Sequence, residues 1–148
     1  MSEAAIRAEI KTILEAVTGI GVVHNRRRWT RSFPTYFSLM TSGGIVNGWQ
    51  IHREATSSEW VSDVQVERSH VFSIFGVYGQ DDENDSESTF QALIESIFQA
   101  FRDAHTVGGT ALNSELLHVE SVGEEEHAGT LYHVCELVLA VREREIVS

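Results

Sequence analysis

The sequence predicts an α+β fold in which an antiparallel sheet carries two main helices packed on one face. Residues 4–17 and 90–101 space their apolar side chains by three and four, as one face of a helix does. Residues 45–56, 66–78, 116–122 and 130–141 alternate as strands do, and they fall into two pairs, each joined by a polar stretch. The resulting order is α-β-(short α)-β-β-α-β-β, which lacks the regular alternation of a parallel sheet.

In the first helix Ile6, Ile10, Ile13, Leu14 and Val17 share a face, and Gly19 stands where a helix commonly ends in a left-handed residue. Residues 20–24 read as a short strand. The basic run Arg26, Arg27, Arg28 and Arg31, interrupted by Trp29, reads as a loop. Phe33, Tyr36, Phe37, Leu39 and Met40 fit a short helix opened by Pro34, since proline is tolerated in a first turn, with extended structure as the alternative. Residues 41–44 are a turn, and residues 45–56 a strand with Ile45, Trp49 and Ile51 on one face beside Asn47.

The polar stretch 57–64, with Trp60 embedded, reads as a hairpin connection to the strand 66–78, where Val71, Phe75 and Val77 alternate with Phe72, Ile74 and Tyr78. An acidic connector, 80–88, precedes the second helix, whose Phe90, Leu93, Ile94, Ile97, Phe98 and Phe101 give the clearest helical period in the chain. Asp85 or Ser86 can cap it, and Gly108 and Gly109 close the region. Residues 116–122 read as a strand, 123–129 as an acidic turn, and 130–141 as the last strand. That strand is apolar on both faces, with Leu131, His133, Cys135, Leu137, Leu139 and Val141 against Tyr132, Val134, Val138 and Ala140. A chain of 148 residues covers one such face with its own helices, so the other is expected to meet a partner.

Composition places the whole chain, 1–148, in a single soluble domain with no internal repeat. The lone Cys135 precludes an intrachain disulfide and suits a reducing cytoplasm. The first residues lack the apolar core of a signal peptide or membrane span, so neither secretion nor membrane anchoring is expected. Net charge is −11, concentrated after residue 75, where three basic side chains face fifteen acidic ones. Such a chain repels a phosphate backbone, which argues against sequence-specific nucleic-acid binding.

Catalytic and metal signatures are weak. Gly19, Gly21 and His24 lack the third glycine of a dinucleotide fingerprint and follow a helix where a strand is required. Asp81, Glu83, Asp85 and Glu87 alternate like a calcium loop, but the glycine and the final glutamate are missing, Ala92 standing at that last position. His52 with Glu54, and His118 with Glu120, each project from one strand face and make a metal or hydrolytic site only if those strands are neighbours. His133 reads as a hydrogen-bonded core histidine, and Cys135 lacks the setting of a reactive thiolate. No cofactor and no catalytic residue is expected.

Arg28 and Trp29, the segment GIVNGWQIHR from Gly44 to Arg53, and Tyr78 and Gly79 followed by an acidic stretch and STFQAL from Ser88 to Leu93 resemble small tail-completion proteins of long-tailed bacteriophages and prophages. The resemblance covers most of the chain and is to the tail-terminator type. It implies a structural virion protein, assembled in the host bacterial cytoplasm, that closes into a ring, commonly hexameric, on the tail tube. Such a ring stops tube polymerisation and offers its far side to a head-completion or connector protein. Its partners are then further copies of itself, the tail tube protein and the connector. Under this reading Tyr132, Val134 and Val138 face a neighbouring subunit, Arg27 and Arg28 meet Asp81, Asp82 and Glu83 across the contact, and Glu124, Glu125 and Glu126 line the lumen. The competing readings are a small metal-dependent or hydrolytic enzyme built on the His and Glu pairs, and a dimeric adaptor with no virion role.

Overall fold

The computed structural model describes residues 2–28, 32–107 and 113–147, with the Phe33 side chain set aside. Trp29 and Arg31 of the basic run, and Gly108 and Gly109, lie outside the described residues. The fold is α+β. Helix α1 (Glu3–Glu15) leads into strand β1 (Val22–His24), helix α2 (Phe33–Leu39), and strands β2 (Thr41–Ser42), β3 (Ile45–Ser62) and β4 (Gln65–Gly79). A single 3-10 turn (Asp82–Asn84) precedes helix α3 (Ser86–Asp103), and strands β5 (Asn113–Ser114), β6 (His118–His127) and β7 (Thr130–Ile146) follow.

One sheet of seven strands runs β1-β3-β4-β7-β5, with β2 also paired to β3 and β6 also paired to β7. The pairing is antiparallel throughout except at the edge, where β1 lies parallel to β3 with Val23 opposite Trp49. The sequence predicted an all-antiparallel sheet. The exception follows from connection length, because α2 and the β2 turn intervene between β1 and β3 and let the chain return in the same direction.

Helices α1 and α3 cover one face, as their spacing predicts. Ile6, Ile10 and Leu14 of α1, with Phe90, Leu93, Ile94, Ile97 and Phe101 of α3, pack against Trp49, Ile51, Phe72, Ile74, Leu137, Leu139 and Val141. Ser2 caps α1 by accepting from the Ala5 amide at 3.1 Å. Asp85 caps α3 by accepting from the Ser88 amide at 3.2 Å, which settles the choice between Asp85 and Ser86. Gly19 is left-handed as expected, at φ +88°. The large Trp49 lies flat across β4 only because residue 76 is glycine; a Cβ there would sit 2.3 Å from the indole ring. Its ring nitrogen donates to Asn47 Oδ1 at 2.9 Å, and Asn47 in turn donates to the Gly19 carbonyl at 2.8 Å, which fastens the turn after α1 to the sheet.

Three expectations need correction. Residues 57–62 are strand, and the β3–β4 turn is only Asp63 and Val64. Residues 123–127 also belong to a strand, with the turn confined to Ala128 and Gly129, both at positive φ. Residues 57–62 project from the body of the sheet, exposed on both faces, and residues 123–126 are exposed polar or glycine positions on an edge strand, so no apolar alternation marks either stretch. Third, the second face of β7 is not left wholly to a partner. The chain's own α2 covers one end of it, where Phe37 and Met40 pack with Val77 and stand against Tyr132 and Val134.

Candidate functional site

Beyond α2, the second sheet face is an open groove with a volume of about 570 Å³. Its floor comes from alternate residues of three neighbouring strands. Gln50 of β3 pairs with Phe75 of β4, which pairs with Glu136 of β7; one row along, His52 pairs with Ser73 and Ser73 with Val138. Its rim is Tyr36 and Phe37 of α2, Arg27 and Arg28 from the loop before it, and Glu125 and His127 of β6, with the His127 ring 5.7 Å from that of Phe37. Phe37 stacks on Tyr132 with ring centroids 4.0 Å apart and planes 11° from parallel, which fixes α2 on the sheet.

The basic part of the rim is held in place. The Arg28 amide donates to Gln50 Oε1 at 3.1 Å, and its guanidinium donates to His24 Nδ1 at 3.0 Å. His24 Nε2 lies 2.9 Å from the Leu39 carbonyl, which can only accept, so the imidazole donates there and accepts from Arg28. Strand β1, the end of α2 and the loop are thereby joined at the groove mouth. On the floor Ser73 Oγ donates to Glu136 Oε1 at 3.1 Å and leaves that carboxylate further acceptor capacity. Burial raises the Tyr36 phenol above its ordinary value; Arg27 opposes the shift and Glu125 adds to it.

Of the residues that the sequence nominated for a subunit contact, Val134, Arg27 and Arg28 line this groove, and Tyr132 and Val138 share its sheet face. Tyr132 is stacked within its own chain and Val138 is half-buried. Asp81, Asp82 and Glu83 lie on the connector before α3, outside the groove lining. The acidic triplet is divided by its strand geometry. Glu125 faces the groove beside Tyr132, whereas Glu124 and Glu126 face the helix side, with Glu124 3.9 Å from His133 Nδ1.

The two His and Glu pairs do not meet. His52 and Glu54 line the groove, but His118 and Glu120 sit on β6, with β4 and β7 in between, and pair with each other at 3.1 Å. Three strand spacings, roughly 14 Å along the sheet, separate the pairs. Among the described residues no group of three or more His, Cys, Asp or Glu side chains is placed to hold a metal ion.

Two other imidazole contacts escaped sequence reading because their partners are distant in the chain. Thr56 Oγ1 is 2.9 Å from His70 Nδ1, and His70 Nε2 is 3.1 Å from Glu143 Oε1, with His70 fully buried and Glu143 2% exposed. His133, buried as expected, meets Ser86 Oγ at 2.8 Å and so ties the start of α3 to β7. Each chain of hydroxyl and imidazole has the geometry of an activated nucleophile, yet neither borders the groove, where a substrate would need to approach. They act as polar fasteners of the helix face. Among the described residues no helix is long and apolar enough to cross a membrane.

Comparisons with protein-family models and with curated proteins gave no match.

Proposed function

We propose that this protein is a structural component of a phage or prophage tail, a terminator that assembles as a ring on the tail tube and presents a head-joining surface. The observation that carries the reading is the half-covered second sheet face. Phe75, Val77 and Val134 line a groove of about 570 Å³ that the chain's own helices leave open, while α1 and α3 pack on the other face. Sheet edges are a poorer contact. Strand β6 carries Glu120, Glu124, Glu125 and Glu126 and an irregularity between Val119 and Ser121, features that discourage edge-to-edge pairing.

Rings of tube protein stack by heterologous contacts that continue until a different surface occupies the end. A subunit that works through protein contacts fits that steric task. Negative-stain microscopy of the purified protein, alone and with tail tube protein, is the direct test. Annuli, and tubes that cease to lengthen when the protein is added, are expected. Compact dimers alone would favour an adaptor, and a 16.5 kDa species at every concentration without tube capping would overturn the assignment.

A further inference from the structure

We infer that the tip of the β3–β4 hairpin is a docking knob that enters the sheet-face groove of a second copy of this chain. The inference rests on the ring reading above and names the surfaces by which neighbouring subunits meet. At the tip Trp60 is 66% exposed, an unusual setting for the largest side chain, and Val61, Val64 and Ile146 around it are exposed as well. Trp60 pairs across the hairpin with Val66, and the Val147 amide donates to the Val64 carbonyl at 2.7 Å, so the end of β7 braces the tip. This is a formed apolar surface on a protruding hairpin.

The groove offers the complementary chemistry. Tyr36, Phe37 and Phe75 supply an aromatic rim and floor for an indole, and Glu136 supplies an acceptor for its ring N–H. Charge matches at the mouth alone. From Ala55 to Glu67 the hairpin has no Lys or Arg and carries Glu59 and Asp63 beside Trp60, facing Arg27 and Arg28 at the groove mouth, Arg28 already held by His24 and Gln50. Glu54, Glu125 and Glu136 also line the groove and leave the apolar contact of Trp60 to carry the docking. Within one molecule the two cannot meet. His52, in the groove, and Trp60 lie on the same strand, roughly 26 Å apart at the usual rise per residue. Tip and groove are different surfaces of one chain, so their contact is heterologous and propagates from copy to copy until it closes.

Cysteine cross-linking tests the contact without disturbing the core, because the native Cys135 is buried. Asp63→Cys places a thiol on the tip and Glu125→Cys places one on the groove rim, both at exposed positions. On oxidation the double variant is expected to give a ladder of multimers, an equimolar mixture of the two single variants a dimer and nothing larger, and each single variant alone no cross-link. Trp60→Ser should abolish the ladder and weaken self-association roughly thirtyfold or more, the scale of a central aromatic anchor. If wild-type rings form and Trp60→Ser rings form equally well, the docking is overturned while the ring reading survives. Dimers from Asp63→Cys alone would show tip meeting tip and also overturn it. A wild-type chain that never self-associates removes both.

Discussion

Cys135 shows how fully the helix face is sealed. Burial, partly opposed by a hydrogen bond with the Gly76 backbone, pushes its thiol from the ordinary 9.0 up to about 12. Because the neutral form is favoured in the folded state, the contribution to stability is intact below about pH 9 and is lost as pH rises toward 12. Stability should therefore fall by roughly 1.4 kcal/mol per pH unit from this group within that window, and Cys135→Ala should flatten the slope by one proton. Urea denaturation from pH 8 to 11 checks the sign. Labelling by a thiol reagent at neutral pH should proceed only on unfolding; rapid labelling of the native protein would sink the view of a sealed face. The chain that runs from the exposed Thr56 to the buried His70 and Glu143 marks the far end of that face. Glu143 Oε2 and Ser114 Oγ have no hydrogen-bond partner there among the described residues, so polar satisfaction is incomplete where the helices stop.

At the scale of elements, the two hairpins are the parts that sequence pattern misjudged. The β6–β7 turn places Ala128 at φ +54° and Gly129 at φ +81°, the positive values of a two-residue hairpin turn in which asparagine and glycine are favoured. Ala128→Asn is expected to raise stability by about 0.5–1 kcal/mol, because the short polar side chain of asparagine hydrogen-bonds locally and tolerates the left-handed region better than alanine, read as a higher thermal midpoint. An unchanged or lower midpoint would mean that the turn is not the strained one described. The same turn decides where Glu124, Glu125 and Glu126 point. In a loop they would form one acidic surface; in a strand they alternate, and only Glu125 joins the groove.

For the whole molecule, the distal hairpin lies beyond the helices, and from Glu54 to Val64 every residue is exposed. It can therefore be shortened at little cost to the core. Replacing residues 60–66 by an Asn-Gly turn, which leaves the paired Glu59 and Glu67 on either side of it, should keep the far-ultraviolet circular dichroism spectrum and move the thermal midpoint by only a few degrees, the shift of about 1 kcal/mol in a chain of this size. The shortened chain should be monomeric by light scattering where the full chain associates. Loss of cooperative unfolding would instead show that the hairpin belongs to the folding core.

Much of this protein was determined by its sequence alone. Periodicities of 3.6 and 2 identified α1, α3 and the cores of β3, β4 and β7, because apolar spacing records which face a local segment must bury, whereas α2 is marked only by Pro34, which leaves helix and strand both open. The pattern also showed correctly that the second face of β7 is apolar, and it placed Val134, Arg27 and Arg28 among candidate contact residues. Only the tertiary structure decided that β4 and β7 keep His52 and Glu54 apart from His118 and Glu120, that α2 lays Phe37 on Tyr132, and that Gln50, Ser73, Phe75 and Glu136 share a groove floor. Strand order and register join residues dozens of positions apart, and local spacing holds no record of which strand lies beside which.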